Sequence, residues 1–341
     1  MSRLPGGGSH ARAARAVNPD VDLARGGFGL AVGHATDAAG GTGLTVVRGI
    51  DAPMRASAHV FGRATGTREL SLLDPSASND RIDAILLTGG SAYGLDAAAG
   101  VMQWMEERGR GFFIGGGVVP IVPAAVVFDL FPLGRFNARP TSDMAYRACA
   151  EARSHGIEEG SVGAGTGCTV GKILGHARAM KGGVGVAIAA ADPGPSSVAA
   201  AAVAVVNAFG HVRDLANDIA AGPRGDSGTP VDTESRVMRA DFDRPSSEAA
   251  STTISVVALN VALTKVELHQ VACAAAAAYH RQIGPAGTSY DGDVIFAVSP
   301  LEGRRAPLLV AEVAATLALR RAIVRAVEKA RGRDGIPGLA D

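Results

Sequence analysis

Apolar and polar positions divide the chain into short blocks separated by glycine-rich turns. An apolar run from Gly29 ends at Gly33-His34-Ala35-Thr36-Asp37 and another begins at Leu44 to Val47, which predicts an opening hairpin. Ala84 to Leu87 predicts a buried strand that runs into Thr88-Gly89-Gly90-Ser91-Ala92-Tyr93-Gly94. A helix follows, with Leu95, Ala98, Ala99, Met102 and Met105 on one face. The apolar block Phe112 to Leu130 is broken by Gly115-Gly116-Gly117, Pro120 and Pro123, so it predicts two short strands, or one strand and an irregular edge. Ser142 to Ser154 reads as a helix closed by Gly156.

In the second half, Val184 to Ala190 and Val198 to Phe209 predict neighbouring strands of one sheet, the second carrying Asn207 near its end. From His211 to about Ala250 the apolar period largely disappears, and a polar connection of that length inside a compact domain is usually functional or disordered. It stops abruptly at Ala250-Ser251-Thr252-Thr253, where a β-branched strand pattern running to Leu263 begins. Thr264-Lys265-Val266-Glu267 supplies a capping box for a helix whose inner side carries Leu268, Val271, Ala275 and Tyr279. Gly284-Pro285 ends that helix, Tyr290-Asp291-Gly292-Asp293 makes a turn, and Val294 to Val298 is another strand. A last amphipathic helix from Ala306 to about Arg331 places Leu309, Val313, Leu317 and Val327 near one packing stripe.

Composition narrows the function classes. The 341 residues carry 33 basic and 33 acidic side chains, so no charge footprint points to nucleic acid or an anionic membrane. No apolar run of about 18 residues qualifies as a membrane span. Three widely spaced cysteines without a CxxC pattern indicate neither a disulfide framework nor a zinc site and fit a reducing cytoplasm. Residues 1–25 lack the apolar core of a signal peptide and read as a flexible leader before one domain spanning 26–341.

The candidate chemistry is ambiguous residue by residue. The glycine turn at Gly89-Gly90 could hold an anion on its backbone N–H groups or simply be a tight connection. The run Gly160 to Lys172 is glycine-rich, but a P-loop would need glycine and a following Ser or Thr where Thr166 and Ile173 stand, and a dinucleotide fingerprint would need glycine at Cys168. Lys172, taken alone, reads as a solvated lysine beside that loop. His34 reads as a polar cap at a strand end, and Asn207 as a turn residue or an amide aimed into a site. Asp291 and Asp293 cap a turn or hold a cation or proton, without an EF-hand continuation. By propensity alone Thr252 and Thr253 open a strand.

Taken together and in order, several of these stretches resemble the DmpA-type aminopeptidases of peptidase family S58, which include β-peptidyl aminopeptidases and nylon-oligomer hydrolases. The carrying motifs are Val32-Gly33-His34-Ala35-Thr36-Asp37, Thr88-Gly89-Gly90-Ser91-Ala92-Tyr93-Gly94-Leu95-Asp96, Gly163-Ala164-Gly165-Thr166-Gly167 with Lys172, Val206-Asn207-Ala208-Phe209-Gly210, Thr252-Thr253-Ile254 and Asp291-Gly292-Asp293. The resemblance implies an α/β fold of four αββα layers, N-terminal-nucleophile-hydrolase-like, and a proenzyme that cuts itself between Ser251 and Thr252 into an α chain, 1–251, and a β chain, 252–341. It implies Thr252 as nucleophile, its freed amine as base, Asn207 as oxyanion donor, Lys172 as a nearby cation, and Asp291 with Asp293 as orienting carboxylates. Gly90, Ser91, Tyr93 and Phe128 are carried over as substrate-binding positions.

Two positions depart from the pattern: Ser251 precedes the cut where some members have asparagine or glycine, and Phe128 stands where a tyrosine hydroxyl helps the site. The implied activity is removal of an N-terminal residue from small peptides, amides or esters through an acyl-enzyme, in an oligomer of αβ pairs, with no metal or organic cofactor. The competing reading is an uncut, non-catalytic protein that binds a small ligand with its two glycine loops. A phosphate-dependent enzyme is weakened by the missing P-loop residues.

Overall fold

The computed structural model describes residues 16–191, 197–240 and 251–341. Its framework is two five-stranded sheets. The first is built from β1 (Leu30–Asp37), β2 (Thr42–Gly49), β4 (Thr67–Arg68), β5 (Ala84–Thr88) and β6 (Ala124–Val126), in the order β1-β2-β5-β6-β4; the intervening β3 (Met54–Val60) crosses to the other sheet. Two helices, α1 (Ala98–Glu106) and α2 (Ser142–Ala150), cover its outer face. The second sheet takes β7 (Gly183–Ala190), β8 (Ala199–Asn207), β9 (Thr252–Leu259) and β10 (Val294–Pro300), with α3 (Lys265–Gln282) and α4 (Leu308–Glu328) on its outer face, in the order β7-β8-β9-β10-β3.

Strand alternation sorts side chains into three cores. Ile254, Val256 and Ala258 of β9, Val203 and Val205 of β8, and Val294, Phe296 and Val298 of β10 meet Val32, Val47, Ile85 and Leu87 of the first sheet. The intervening residues Val257, Leu259, Ile295 and Ala297 pack under α3 and α4. On the other side Leu44, Val46, Ala84 and Leu86 pack under α1 and α2. The order is therefore helix, sheet, sheet, helix, which is the expected αββα arrangement.

Local chemistry explains most boundaries. β9 is a run of β-branched residues that suits a fully buried central strand. Thr264 and Glu267 form the expected reciprocal capping box at α3, and Leu268, Val271, Ala275 and Tyr279 are buried. Because β9 and β10 are parallel, the chain needs a crossover between them, which α3 provides. The opening hairpin and the β7–β8 pair form as the apolar pattern predicts.

Other expectations need correction. In α4 the buried face consists mainly of alanines such as Ala311, Ala315, Ala318 and Ala322, whereas Leu309, Val313 and Leu317 are 69%, 50% and 38% exposed. The reason lies in β7: a Cβ at Gly185 would run into the carbonyl oxygen of Ala322, so the helix backbone sits directly on glycine strand and only small side chains fit between. Leu309, Val313 and Leu317 turn outward, whereas Val327, the fourth residue of the expected stripe, is buried beside Leu319 and Ile323. The α1 region opens with a 3-10 stretch, Ser91–Ala97, which rotates the buried face onto Val101, Trp104 and Met105 and leaves Ala99 exposed. α2 ends at Ala150 rather than Ser154, because Arg153 pairs with Val32 and His155 with Asp22.

The polar connection after His211 contains strands His211–Arg213 and Ile219–Ala221 and a short helix, Thr233–Met238, while its last stretch, 241–250, lies outside the described residues. Of the stretch expected as a leader, 1–15 also lies outside them. Ala16–Val17 pairs with Glu158–Glu159, and Val21 and Leu23 are buried at the margin of the intersheet core.

Candidate active site

Thr252 is the first residue of β9 and Asn207 the last of β8, and the two are direct partners in the antiparallel register. Both share the strand parity of the intersheet core, so their side chains point between the sheets at one end. The Thr252 hydroxyl donates to the carbonyl oxygen of the preceding residue, Ser251, at 2.6 Å. That oxygen also accepts the Gly292 N–H at 2.9 Å, and the Ser251 N–H donates to the Tyr290 carbonyl at 3.2 Å. A single peptide bond is thus gripped from the Tyr290–Gly292 turn while a hydroxyl lies against its carbonyl.

The Asn207 amide is held in one orientation. Its Oδ1 accepts the Thr169 N–H at 3.0 Å, and its Nδ2 donates to the Phe128 carbonyl at 2.9 Å. Since Oδ1 must face an N–H and Nδ2 a carbonyl, the alternative flip is disfavoured, and one Nδ2 hydrogen is left for a further acceptor.

Lys172 is 6% exposed, which overturns its reading as a solvated lysine. Its ammonium donates to the carbonyls of Thr169, Asn207 and Ala208 at 3.0, 2.8 and 3.1 Å and to the Ser251 hydroxyl at 3.3 Å. The inward turn is set by backbone bonds from Gly171 and Lys172 to the carbonyls of Gly210 and Phe209. Burial pulls the amine down to about 7 from its ordinary 10.5.

Asp291 and Asp293 flank the same bond. Asp291 closes the turn by accepting the Thr288 N–H at 2.9 Å and its hydroxyl at 2.6 Å. Asp293 reaches out of the turn to accept the Thr253 N–H at 2.7 Å, one residue from Thr252, and the Gly287 N–H at 3.0 Å. Burial raises both carboxyls above the usual range, and repulsion from Asp291 adds to the rise at Asp293. The pair so disposed holds a proton more readily than ordinary carboxylates, beside a cation that gives one up more readily.

The other four positions separate. The Phe128 carbonyl, rather than its ring, meets Asn207, and the ring packs edge-on against Phe131. Gly90 and Ser91 lie in the turn bonded to the next strand end, through Gly90 N–H to Asp129 and Ser91 N–H to the Val127 carbonyl. Tyr93 is 50% exposed beneath the Arg139 guanidinium. His34 pairs across the hairpin with Thr45, as a polar strand-end residue.

Two supporting residues, Asp129 and Lys181, escaped the sequence reading, and a third, Tyr279, figured there only as a packing residue. Asp129, fully buried and pushed up to about 6 by that burial, accepts the Gly90 N–H at 2.6 Å and the Thr42 hydroxyl at 2.7 Å. A Cβ at Gly89 or Gly167 would collide with this carboxylate, so the two glycine loops converge on a protein carboxylate instead of cradling a phosphate. Lys181 ties the second loop down through the carbonyls of Gly165, Cys168 and Gly182. Tyr279, on α3, sends its hydroxyl into the sheet to the Thr253 and Val294 carbonyls at 3.2 and 3.3 Å and to Ser255 at 2.8 Å. The available signal was a carboxylate directly after the apolar run Val126 to Phe128, and a tyrosine on an otherwise alanine-rich helix face.

Among the described residues, His211, Asp232 and Glu234 come close enough together to hold a metal ion. The His211 Nδ1, however, accepts the Thr233 N–H at 3.1 Å, which puts the proton of a neutral imidazole on Nε2, the nitrogen a metal would need bare.

Two sheets between helix layers, with a hydroxyl heading a central strand between them, define the N-terminal-nucleophile hydrolase fold. The chain belongs to peptidase family S58, whose model matches residues 28–338. An uncharacterized aminopeptidase of Mycobacterium tuberculosis is 40% identical over 304 residues, covering 82% of this chain and 84% of the relative. A 6-aminohexanoate-oligomer endohydrolase of Agromyces is 33% identical over 286 residues, 80% of this chain and 73% of that one. Among solved structures, the L-aminopeptidase D-Ala-esterase/amidase of Ochrobactrum anthropi, described as a variant of the Ntn hydrolase fold, superposes with a TM-score of 0.68 at 20% identity over 94% of this chain and 90% of its own. A Burkholderia β-aminopeptidase gives a TM-score of 0.65 at 20% identity, covering 91% and 88%. The chain is accordingly a peptidase or amidase of family S58 with the fold of the N-terminal-nucleophile hydrolases.

Proposed function

We propose that the chain cuts itself between Ser251 and Thr252, and that the freed Thr252 then removes N-terminal residues from small peptides, amides or esters. The observation that carries this reading is the Thr252 hydroxyl 2.6 Å from the Ser251 carbonyl oxygen, on a carbonyl that also accepts the Gly292 N–H. In the first step Oγ1 bonds to the Ser251 carbonyl carbon, the carbon–nitrogen bond breaks, and the hydroxyl proton passes to the departing Thr252 nitrogen. Water then hydrolyses the ester and leaves an α chain, 1–251, and a β chain, 252–341.

Cleavage is also activation. An internal threonine has no base at hand, whereas the new α-amine, with a reference pKa of about 7.7–8.0, is substantially neutral near physiological pH. Thr252 Oγ1 then attacks the substrate carbonyl, and the remaining Nδ2 hydrogen of Asn207 receives the developing oxyanion. Lys172 supplies positive potential behind both. Asp293 holds the backbone of Thr253 and so the position of the nucleophile. Phe128 contributes its carbonyl to Asn207 but has no hydroxyl to donate. Gly90, Ser91 and Tyr93 are the proposed margin for the distal part of a substrate.

The reading extends to an assembly of αβ pairs in the cytoplasm. The outward ridge of Leu309, Val313 and Leu317 supports association, and no helix of the described residues is long and apolar enough to cross a membrane. Denaturing electrophoresis with intact mass tests the central step: fragments 1–251 and 252–341 are expected from the wild-type chain. Thr252→Ala should stay whole and release no nitroaniline from aminoacyl p-nitroanilides. Normal cutting of that variant would move the nucleophile to Ser251 or Thr253, and a wild-type chain that stays whole on long incubation would favour an uncut ligand-binding protein.

A further inference from the structure

Self-cleavage and substrate hydrolysis pass through one chemical species, an ester between Thr252 Oγ1 and a carbonyl carbon. In self-cleavage the acyl group of that ester is Ser251; in turnover it is the N-terminal residue of the substrate. What seats the first is therefore available to seat the second.

The seat of Ser251 is closely built. The residue is 1% exposed and pairs in parallel with Asp291. Its N–H meets the Tyr290 carbonyl at 3.2 Å, its carbonyl oxygen accepts the Gly292 N–H at 2.9 Å, and its hydroxyl accepts from Lys172 Nζ at 3.3 Å. Gly292 comes this close because it has no side chain: a Cβ there would lie 2.5 Å from the Ala64 carbonyl oxygen and 2.9 Å from Thr252 Oγ1. The Tyr290 ring is braced by stacking on Phe209 at 5.5 Å.

We propose that, after the α-chain end withdraws, the seat of Ser251 is the acyl-side subsite of the mature enzyme and takes a small L-α-amino acyl group. Its carbonyl rests on the Gly292 N–H, its terminal amine on the Tyr290 carbonyl, and a side chain no larger than that of serine lies beside Lys172. The inference rests on cleavage at Ser251-Thr252. As Oγ1 bonds to the acyl carbon, the bond to the leaving amine breaks and that amine takes up the proton; water then releases the free amino acid and restores the hydroxyl.

Two series on the full chain test it together. Seryl, alanyl and glycyl p-nitroanilides should exceed leucyl, phenylalanyl and 6-aminohexanoyl p-nitroanilides in kcat/KM by about tenfold to a hundredfold, the range that one overfilled pocket produces. The same rank should govern self-cleavage: Ser251→Ala and Ser251→Gly still cut, while Ser251→Leu and Ser251→Phe slow by about tenfold or more. A preference for the bulky or the 6-aminohexanoyl amides, or wild-type cutting by Ser251→Phe, would overturn the subsite while leaving Thr252 as nucleophile. A wild-type chain that neither cuts nor hydrolyses any of these amides would overturn the cleavage reading, and the subsite with it.

Discussion

Asn207→Ala separates what the amide does for the fold from what it does for the reaction. The side chain is fully buried and bonded to two backbone groups, the Thr169 N–H at 3.0 Å and the Phe128 carbonyl at 2.9 Å. Truncation leaves both without a partner, and each buried orphan costs about 1–3 kcal/mol, so destabilisation on the order of 2–6 kcal/mol is expected from urea unfolding. In the proposed reaction a different quantity is lost, the remaining Nδ2 hydrogen that would donate to the oxyanion, and its removal should cost about 2.7–4 kcal/mol of transition-state stabilisation, a hundredfold to a thousandfold in kcat. Asn207→Asp discriminates between them. It retains an oxygen for the Thr169 N–H and the volume of the residue, so it should keep more stability than the alanine variant while losing turnover. The assay is p-nitroanilide hydrolysis under saturating substrate, with rates referred to the folded, processed fraction. A kcat for Asn207→Ala within about threefold of wild type would refute Asn207 as the oxyanion donor.

Lys172→Met should alter the pH dependence of stability. Burial holds the amine at about 7 when folded against 10.5 ordinarily, so between those values the unfolded chain binds a proton that the folded chain gives up. The stability this group contributes is present above pH 10.5, rises with pH through the window, and is lost as pH falls through about 7; the variant should show a flatter slope there in urea titrations, and an unchanged slope would contradict the burial argument. Tyr279→Phe removes the hydroxyl that joins Ser255 to the Thr253 and Val294 carbonyls, and a loss of about 1–3 kcal/mol is expected by denaturant unfolding, with slower self-cleavage because the base of β9 loosens. Gly185→Ala pushes a methyl into the Ala322 carbonyl and should destabilise by about 1–3 kcal/mol in thermal unfolding with KM little changed; a neutral effect would mean that α4 shifts freely on β7.

Much of the fold was legible because its signals are local. A capping box acts across three residues, and Thr264 with Glu267 marked the start of α3 correctly. The β-branched run after Ser251 and the apolar blocks before Asn207 marked the two central strands, since alternation acts within a single strand. α4 shows where that logic stops. Val327 of the expected stripe is buried, but Leu309, Val313 and Leu317 are not: the strand beneath carries Gly183 and Gly185, far away in the sequence, and the close approach they allow suits alanine. Helical period reveals a face; the partner decides which face is buried.

The site divides the same way. Sequence order of motifs placed Thr252, Asn207, Lys172, Asp291 and Asp293 in one family pattern, and residue types alone supplied a hydroxyl, an amide, a cation and two carboxylates. Only the tertiary structure brings Lys172 to Ser251 across 79 positions and Asp293 to the Thr253 N–H across 40, and turns a lysine that reads as solvated into a buried one. It also shows the glycine loops closing on Asp129, which no spacing rule could reveal. The reason is physical: propensity, capping and strand period depend on neighbours in the chain, whereas desolvation, ionisation and the fit around one peptide bond depend on neighbours in space. The sequence by itself determined which chemical groups the chain owns and where its strands and helices begin; the packing of the second sheet decided that Ser251-Thr252 is the bond they surround.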